Sequence, residues 1–139
     1  MRVRRDSGRM APTVTLLSRA RVVCSSCYVA DRPWARFRGL MGRPELAHGE
    51  GIILKPSGSV HTCFMRFPID VVFLDGELEV LAVSPAVGPW RVRAKRRARA
   101  VLELAAGEAE RVGIKPGDRL IAENSENDSQ TKEKLYALA

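Results

Sequence analysis

Residues 71–83 read Val71-Val72-Phe73-Leu74-Asp75-Gly76-Glu77-Leu78-Glu79-Val80-Leu81-Ala82-Val83. Two apolar runs, 71–74 and 79–83, flank Asp75-Gly76, and Asp-Gly between such runs is a strong short-range hairpin signal. Short β-branched stretches of the same kind recur at 13–17, 22–29, 51–54, 59–66, 99–104 and 119–122. Turn chemistry bounds several of them, as in Lys55-Pro56-Ser57-Gly58 and Lys115-Pro116-Gly117-Asp118. Two stretches read as short helices. In 32–40, Asp31 is placed as an N-cap, Pro33 lies in the first turn and Gly39 is near the stop, with Trp34, Phe37 and Leu40 on one face. The stretch 107–112 has room for one or two turns before Gly113. About eight short strands with one or two small helices predict a mostly β domain. The expected form is a small antiparallel β-sandwich or a partly closed, jelly-roll-like barrel. Strands do not alternate with long helices, which excludes a doubly wound parallel sheet.

A chain of 139 residues is expected to form one domain with a core sufficient without disulfides or metals. Residues 12–123 are assigned to it. Residues 1–11, with four arginines, read as a flexible basic tail for which Met10 is an alternative start. Residues 124–139 read as a polar tail. No run nears the roughly 20 apolar residues of a membrane helix. The apolar stretch after the basic start is broken by Ser18, Arg19 and Arg21, too early for a secretory leader. A cytoplasmic monomer is expected, and three cysteines do not suggest a disulfide framework.

The net charge of +7 and pI near 9.9 favour anionic partners. The charge is concentrated in Arg91, Arg93, Lys95, Arg96, Arg97 and Arg99, directly after Trp90. This run is a candidate anion patch, able to hold a nucleic-acid backbone and stack one base, or else a solvated hairpin loop. Cys24-Ser25-Ser26-Cys27 and His61-Thr62-Cys63 together offer four soft ligands, Cys24, Cys27, His61 and Cys63, for a closed zinc site. That site needs a turn at Ser25-Ser26, because a straight strand puts Cys24 and Cys27 on opposite faces. Otherwise the thiols act as small hydrophobes, and no cofactor is expected.

The segment 61–70 is the first candidate for a ligand cleft, formed by His61, Met65, Arg66 and Asp70. Strand alternation puts His61, Cys63 and Met65 on one face, and Pro68 bends the chain before Asp70. Asp70 lies beside an apolar run and needs a partner: Arg66, an arginine of 36–43, or backbone N–H groups. In one reading His61 exchanges protons or binds a ligand while Asp70 and Arg66 orient it. In the other, Asp70 locks the bend and His61 and Met65 fill space.

Four stretches resemble one prokaryotic family. Arg36-Phe37-Arg38-Gly39-Leu40-Met41-Gly42-Arg43 is similar to its Arg-x-x-Gly-Leu-Met-x-Arg motif. Gly51-Ile52-Ile53-Leu54 is similar to its Gly-led strand, and residues 64–75 to its central strand pair. Val101-Leu102-Glu103-Leu104 with Gly107, Glu110-Arg111, Gly113-Ile114-Lys115 and Gly117-Asp118 is similar to its C-terminal signature. The chain thus resembles domain of unknown function 192 over about residues 13–122. The resemblance implies a small jelly-roll-like β domain and no established activity. Many relatives carry Trp in place of Phe64, and Cys24 and Cys27 lie outside the family pattern. In the first motif, Arg36, Arg38 and Arg43 could grip a carboxylate or phosphate. Its structural reading is a helix stop at Gly39 with Leu40 and Met41 plugging the core. Gly117 and Asp118 read as turn residues.

No nucleophile–base pair, phosphate loop or dinucleotide fingerprint is legible. A non-enzymatic binding or accessory domain for a small ligand or protein partner is therefore the leading expectation. The alternatives are an enzyme built on His61 and Asp70, a metal-stabilised module and a nucleic-acid-binding module.

Overall fold

The computed structural model describes residues 13–19, 21–33, 40–42 and 44–124. Its strands are β1 (Thr13–Ser18), β2 (Arg21–Ala30), β3 (Glu50–Leu54), β4 (Ser59–His61), β5 (Ile69–Leu74), β6 (Val80–Val87), β7 (Val92–Ala94), β8 (Ala100–Ala105) and β9 (Ile121–Asn124). One short helix, α1 (Glu108–Val112), follows β8. Seven strands form a sheet in the order β6-β5-β8-β3-β2-β1-β9, and β4 and β7 form a separate pair.

The expected β5–β6 hairpin is present. The Asp75 carboxylate accepts from the N–H groups of Glu77 (2.8 Å) and Glu79 (2.9 Å), which closes the turn and lowers the Asp75 pKa. The large sheet curls until its two edges approach. Val80 N–H donates to Asp118 O (2.7 Å), Gly117 N–H to Val80 O and Leu120 N–H to Leu78 O. The result is a half-barrel, as the strand count and turns predict.

Every residue of β5 is buried, because both faces of the central sheet are covered. On one face Val72 and Leu74 join Leu16, Cys24, Cys27, Leu102, Leu104 and the helix residues Ala109 and Val112. On the other, Ile69, Val71 and Phe73 join Ile52, Val101, Leu40, Leu46, Met65 and Val60 of β4. A strand buried twice shows no alternation, so its sequence reads as a continuous apolar run.

Three expectations are corrected. The sheet is not wholly antiparallel: β2 and β3 are parallel, with Ser26 opposite Glu50 and Ala30 opposite Leu54. The strand expected over 59–66 stops at His61, because Thr62 draws the chain into a turn. The basic run is not only loop: residues 92–94 form β7 and pair with β4. The helix expected over 32–40 and the two tails fall largely outside the described residues.

Candidate functional site

Asp70 is 1% exposed and lies on the face of β5 that carries Val72 and Leu74, beneath α1. Its carboxylate accepts three backbone N–H groups: Ala86 (2.9 Å), Gly107 (3.0 Å) and Ala109 (2.9 Å). Two of these are the otherwise orphaned donors at the start of α1, so a distant strand caps the helix. The third holds Ala86, at φ +48°, in a β6 irregularity opposite β5. Of the partners expected for Asp70, the structure selects backbone N–H groups, and they come from β6 and α1 instead of the 67–68 bend. A depression of about 400 Å³ lies beside it, lined by Val83, Pro85, Ala86, Gly107 and Glu110 among others. The carboxylate there is already occupied by its three donors.

His61, Met65 and Arg66 lie elsewhere. His61 ends β4, in the layer over the opposite face of the sheet, and its Nδ1 accepts from Cys63 N–H (3.2 Å). Met65 is buried in that second core, and Arg66 is exposed. The four residues expected to share a cleft are therefore divided between the two faces of the central sheet. The cysteine–histidine set is divided as well. A register irregularity between β1 and β2 places Cys24 and Cys27 together in the first core, without the turn that chelation requires. Their shared hydrogen bond pushes the Cys27 thiol well up, with burial adding to the rise, and lowers Cys24. Cys63 and His61 belong to the other layer. Among the described residues, no three His, Cys, Asp or Glu side chains gather as metal ligands.

Between His61 and Met65 the structure builds a hub that the sequence reading did not single out. Thr62 is 1% exposed. Its hydroxyl donates to Gly88 O (2.7 Å) and accepts from Arg91 N–H (2.7 Å). Its N–H donates to Arg91 O (2.8 Å), and its carbonyl accepts from Trp90 N–H (3.0 Å) and Met65 N–H (3.1 Å). One buried threonine thus fastens the 62–65 turn to the 88–91 turn. Each turn then raises an aromatic residue into solvent. Phe64 (φ +64°) and Trp90 (φ +62°) are each 59% exposed, and their ring centroids lie 4.7 Å apart at 60°. Val92, two residues further along, is also exposed. Arg91 directly follows Trp90, and Arg66 lies two residues after Phe64.

Two further carboxyls were not marked as sites by sequence. Glu103, on β8, is 2% exposed and faces the second core between Ile52 of β3 and Val71 of β5. Its carboxyl has no donor or cation among the described residues, and burial raises its pKa to about 8. Glu108, at the start of α1, pairs with Arg111 through two bonds (2.9 and 2.7 Å) and with His48 Nδ1. The Arg111 pair is the main cause of its lowered pKa. Asp118 serves its turn, accepting from Lys115 N–H (3.0 Å) beside Gly117 at φ +95°, and lies 3.5 Å from the Arg19 guanidinium. Leu40 is buried in the second core and Met41 is half-buried. Arg36, Gly39, Arg38 and Arg43 lie outside the described residues.

Comparison with known proteins places this geometry in a family. The model of DUF192, described as an uncharacterised ACR, matches residues 15–122. A UPF0127 protein of Thermococcus sibiricus is 33% identical over 115 residues, covering 79% of this chain and 74% of its own. A UPF0127 protein of Pyrococcus furiosus is 37% identical over 95 residues, 66% of this chain and 81% of its own. Among solved structures, a chain from Sinorhizobium meliloti described as a candidate transcription regulator is similar at a TM-score of 0.71 and 25% identity, covering 81% of this chain and 93% of that one. A protein of unknown function from Novosphingobium aromaticivorans is similar at 0.67 and 26%, covering 80% and 84%. No activity is established through any of these. The chain belongs to the domain of unknown function 192 family.

Proposed function

We propose that this chain is a non-enzymatic binding domain whose contact face is the Phe64–Trp90 ledge. The observation that carries the reading is that two bulky residues stand side by side, both at positive φ and both largely in solvent. A side-chain-bearing residue in the left-handed region costs on the order of 1–3 kcal/mol. A buried aromatic would offset that cost by packing, but these two rings are mostly in water. The cost is met by Thr62, whose hydrogen bonds over-determine both turns. Strain held at an exposed aromatic pair supports a surface that meets something else.

The Asp70 depression supports the alternative less well, because its carboxylate is spent on backbone N–H groups and no second polar group of the expected cleft reaches it. The reading requires neither metal nor cofactor. Its test is a chemical-shift survey of the isotope-labelled protein against nucleotides, aromatic peptides and simple sugars. The reading expects a saturable response at the Trp90 indole N–H and at the amides of Thr62, Gly88 and Arg91. A saturable response confined to Ala86, Gly107 and Ala109, with the ledge unmoved, would contradict it.

A further inference from the structure

We infer that the occupant of the ledge is single-stranded nucleic acid, its bases meeting Trp90 and Phe64 and its phosphates meeting the basic hairpin. This inference rests on the ledge being a contact face. The segment from 91 to 99, β7 and the turn after it, carries five arginines and one lysine and no acidic residue. None of the six forms a salt bridge with any described residue, although Arg19, Arg111 and Arg119 all do. Arg91 and Arg93 instead donate to the carbonyls of Trp90 (3.5 Å) and Val92 (2.9 Å) beside them. The fold therefore sets Arg91 and Arg93 next to the exposed aromatic rings, with Lys95 and Arg96 following, while Arg97 and Arg99 line a groove with Asp75, Glu77 and Glu79 at the far end of the segment. A partner that fits both halves must present repeated negative charge and flat apolar faces. Nucleic acid does so, and base–aromatic stacking together with a cationic track is the way single strands are held.

Several features favour an unpaired strand. Bases in a duplex present edges, and reading them takes a helix or ribbon inserted in a groove. Of the described elements, α1 has five residues and packs into the first core, and the β4–β7 ribbon has only three residues in each strand. The two rings lie 60° apart, so each offers a separate stacking surface. A membrane surface is a poorer fit, because the apolar ledge is narrow and its backbone is pinned by Thr62, and α1 packs into the first core instead of lying free at a surface.

The test is fluorescence anisotropy of the full chain with a labelled oligothymidylate over a series of salt concentrations. Heparin, a duplex of random sequence and phosphatidylserine vesicles are run beside it. Binding should weaken with salt, and Arg93→Gln, Arg96→Gln and Arg97→Gln combined should lower the salt slope by about 2. Trp90→Ala should weaken oligothymidylate by about tenfold, an effect of one lost stack, and leave heparin affinity unchanged. Melting curves establish that each variant folds. Equal loss for heparin and oligothymidylate, or no loss for either, would overturn the inference in favour of plain polyanion attraction. Vesicle binding that depends on Trp90 while oligothymidylate does not bind would overturn nucleic acid as the partner but keep the ledge as a contact face. Oligothymidylate binding left unchanged by Phe64→Gly and Trp90→Gly together would overturn both.

Discussion

Asp70 and Thr62 are both buried polar residues that tie together distant pieces of chain, and they differ in what they hold. Asp70 collects three N–H groups and fixes a helix whose Ala109 and Val112 enter the core. The order it imposes is offset by apolar burial. Thr62 binds two turns just as firmly, but the residues those turns present are aromatic rings left in water at positive φ. Within the described fold, only the Thr62 hydrogen bonds and the contact of the two rings with each other offset that arrangement. A conformational cost met by packing explains itself, whereas one met only by a hydrogen-bonded hub points outward, to a contact.

Glu103 sharpens this contrast from the side of charge, and carries the largest expected effect. Asp70 lies among donors, whereas Glu103 has burial alone, which raises its pKa to about 8 from an ordinary 4.5. The folded state thus holds the Glu103 proton more tightly than the unfolded chain does. Stability from this group is complete below about pH 4.5, falls as pH rises, and levels off above about 8. The loss over that span is on the order of 5 kcal/mol. Urea unfolding at a series of pH values should show this fall, and Glu103→Gln should flatten it. A slope that survives Glu103→Gln would assign the titration to another group.

Replacing the Asp70 carboxylate comes next. Asp70→Asn keeps the shape but turns one acceptor into a donor facing N–H groups. It is expected to cost about 2–4 kcal/mol, with amide exchange quickened first in α1. A variant as stable as the parent would show that the three bonds do not anchor the helix. Thr62→Val keeps volume but strips the hydroxyl from Gly88 O and Arg91 N–H, with an expected cost of about 1–3 kcal/mol. Its signature should be local: faster exchange at Trp90 and Arg91, and a changed Trp90 environment, with α1 unaffected. Loosening of α1 in that variant would mean that the two hubs are one cooperative unit.

The sheet was legible where local chemistry and global packing agree. Asp75-Gly76 marks its hairpin, and the unbroken run into Leu74 reflects a strand covered on both faces. Boundaries set by tertiary hydrogen bonds were not legible. Nothing local ends β4 at His61; the chain turns there because Thr62 meets Arg91 from a hairpin 29 residues away. The same holds for the parallel pairing of β2 with β3, which no local signal in either strand marks. The cleft expected around His61 and Asp70 does not form, because the two are near in sequence while residues 62–68 lead from the β4–β7 pair into β5 of the large sheet. Glu103 did leave a signal, a carboxylate inside Val101-Leu102-Glu103-Leu104, where an apolar residue would otherwise stand. The ledge was half visible: Trp90 was noted beside the basic run, and Phe64 as a position where relatives carry Trp. Their contact needed the fold.

The central claim is that the fold carries Phe64 and Trp90 for contact with something else and not for its own stability. Urea unfolding of the Phe64→Gly, Trp90→Gly double variant tests it most directly. Glycine accepts positive φ without strain, so relief at two sites offsets the added freedom of the unfolded chain. The double variant is expected to match the parent or exceed it by about 1 kcal/mol. A loss above about 2 kcal/mol, the size of a buried aromatic truncation, would show that the pair belongs to the packing of the domain and would contradict the account.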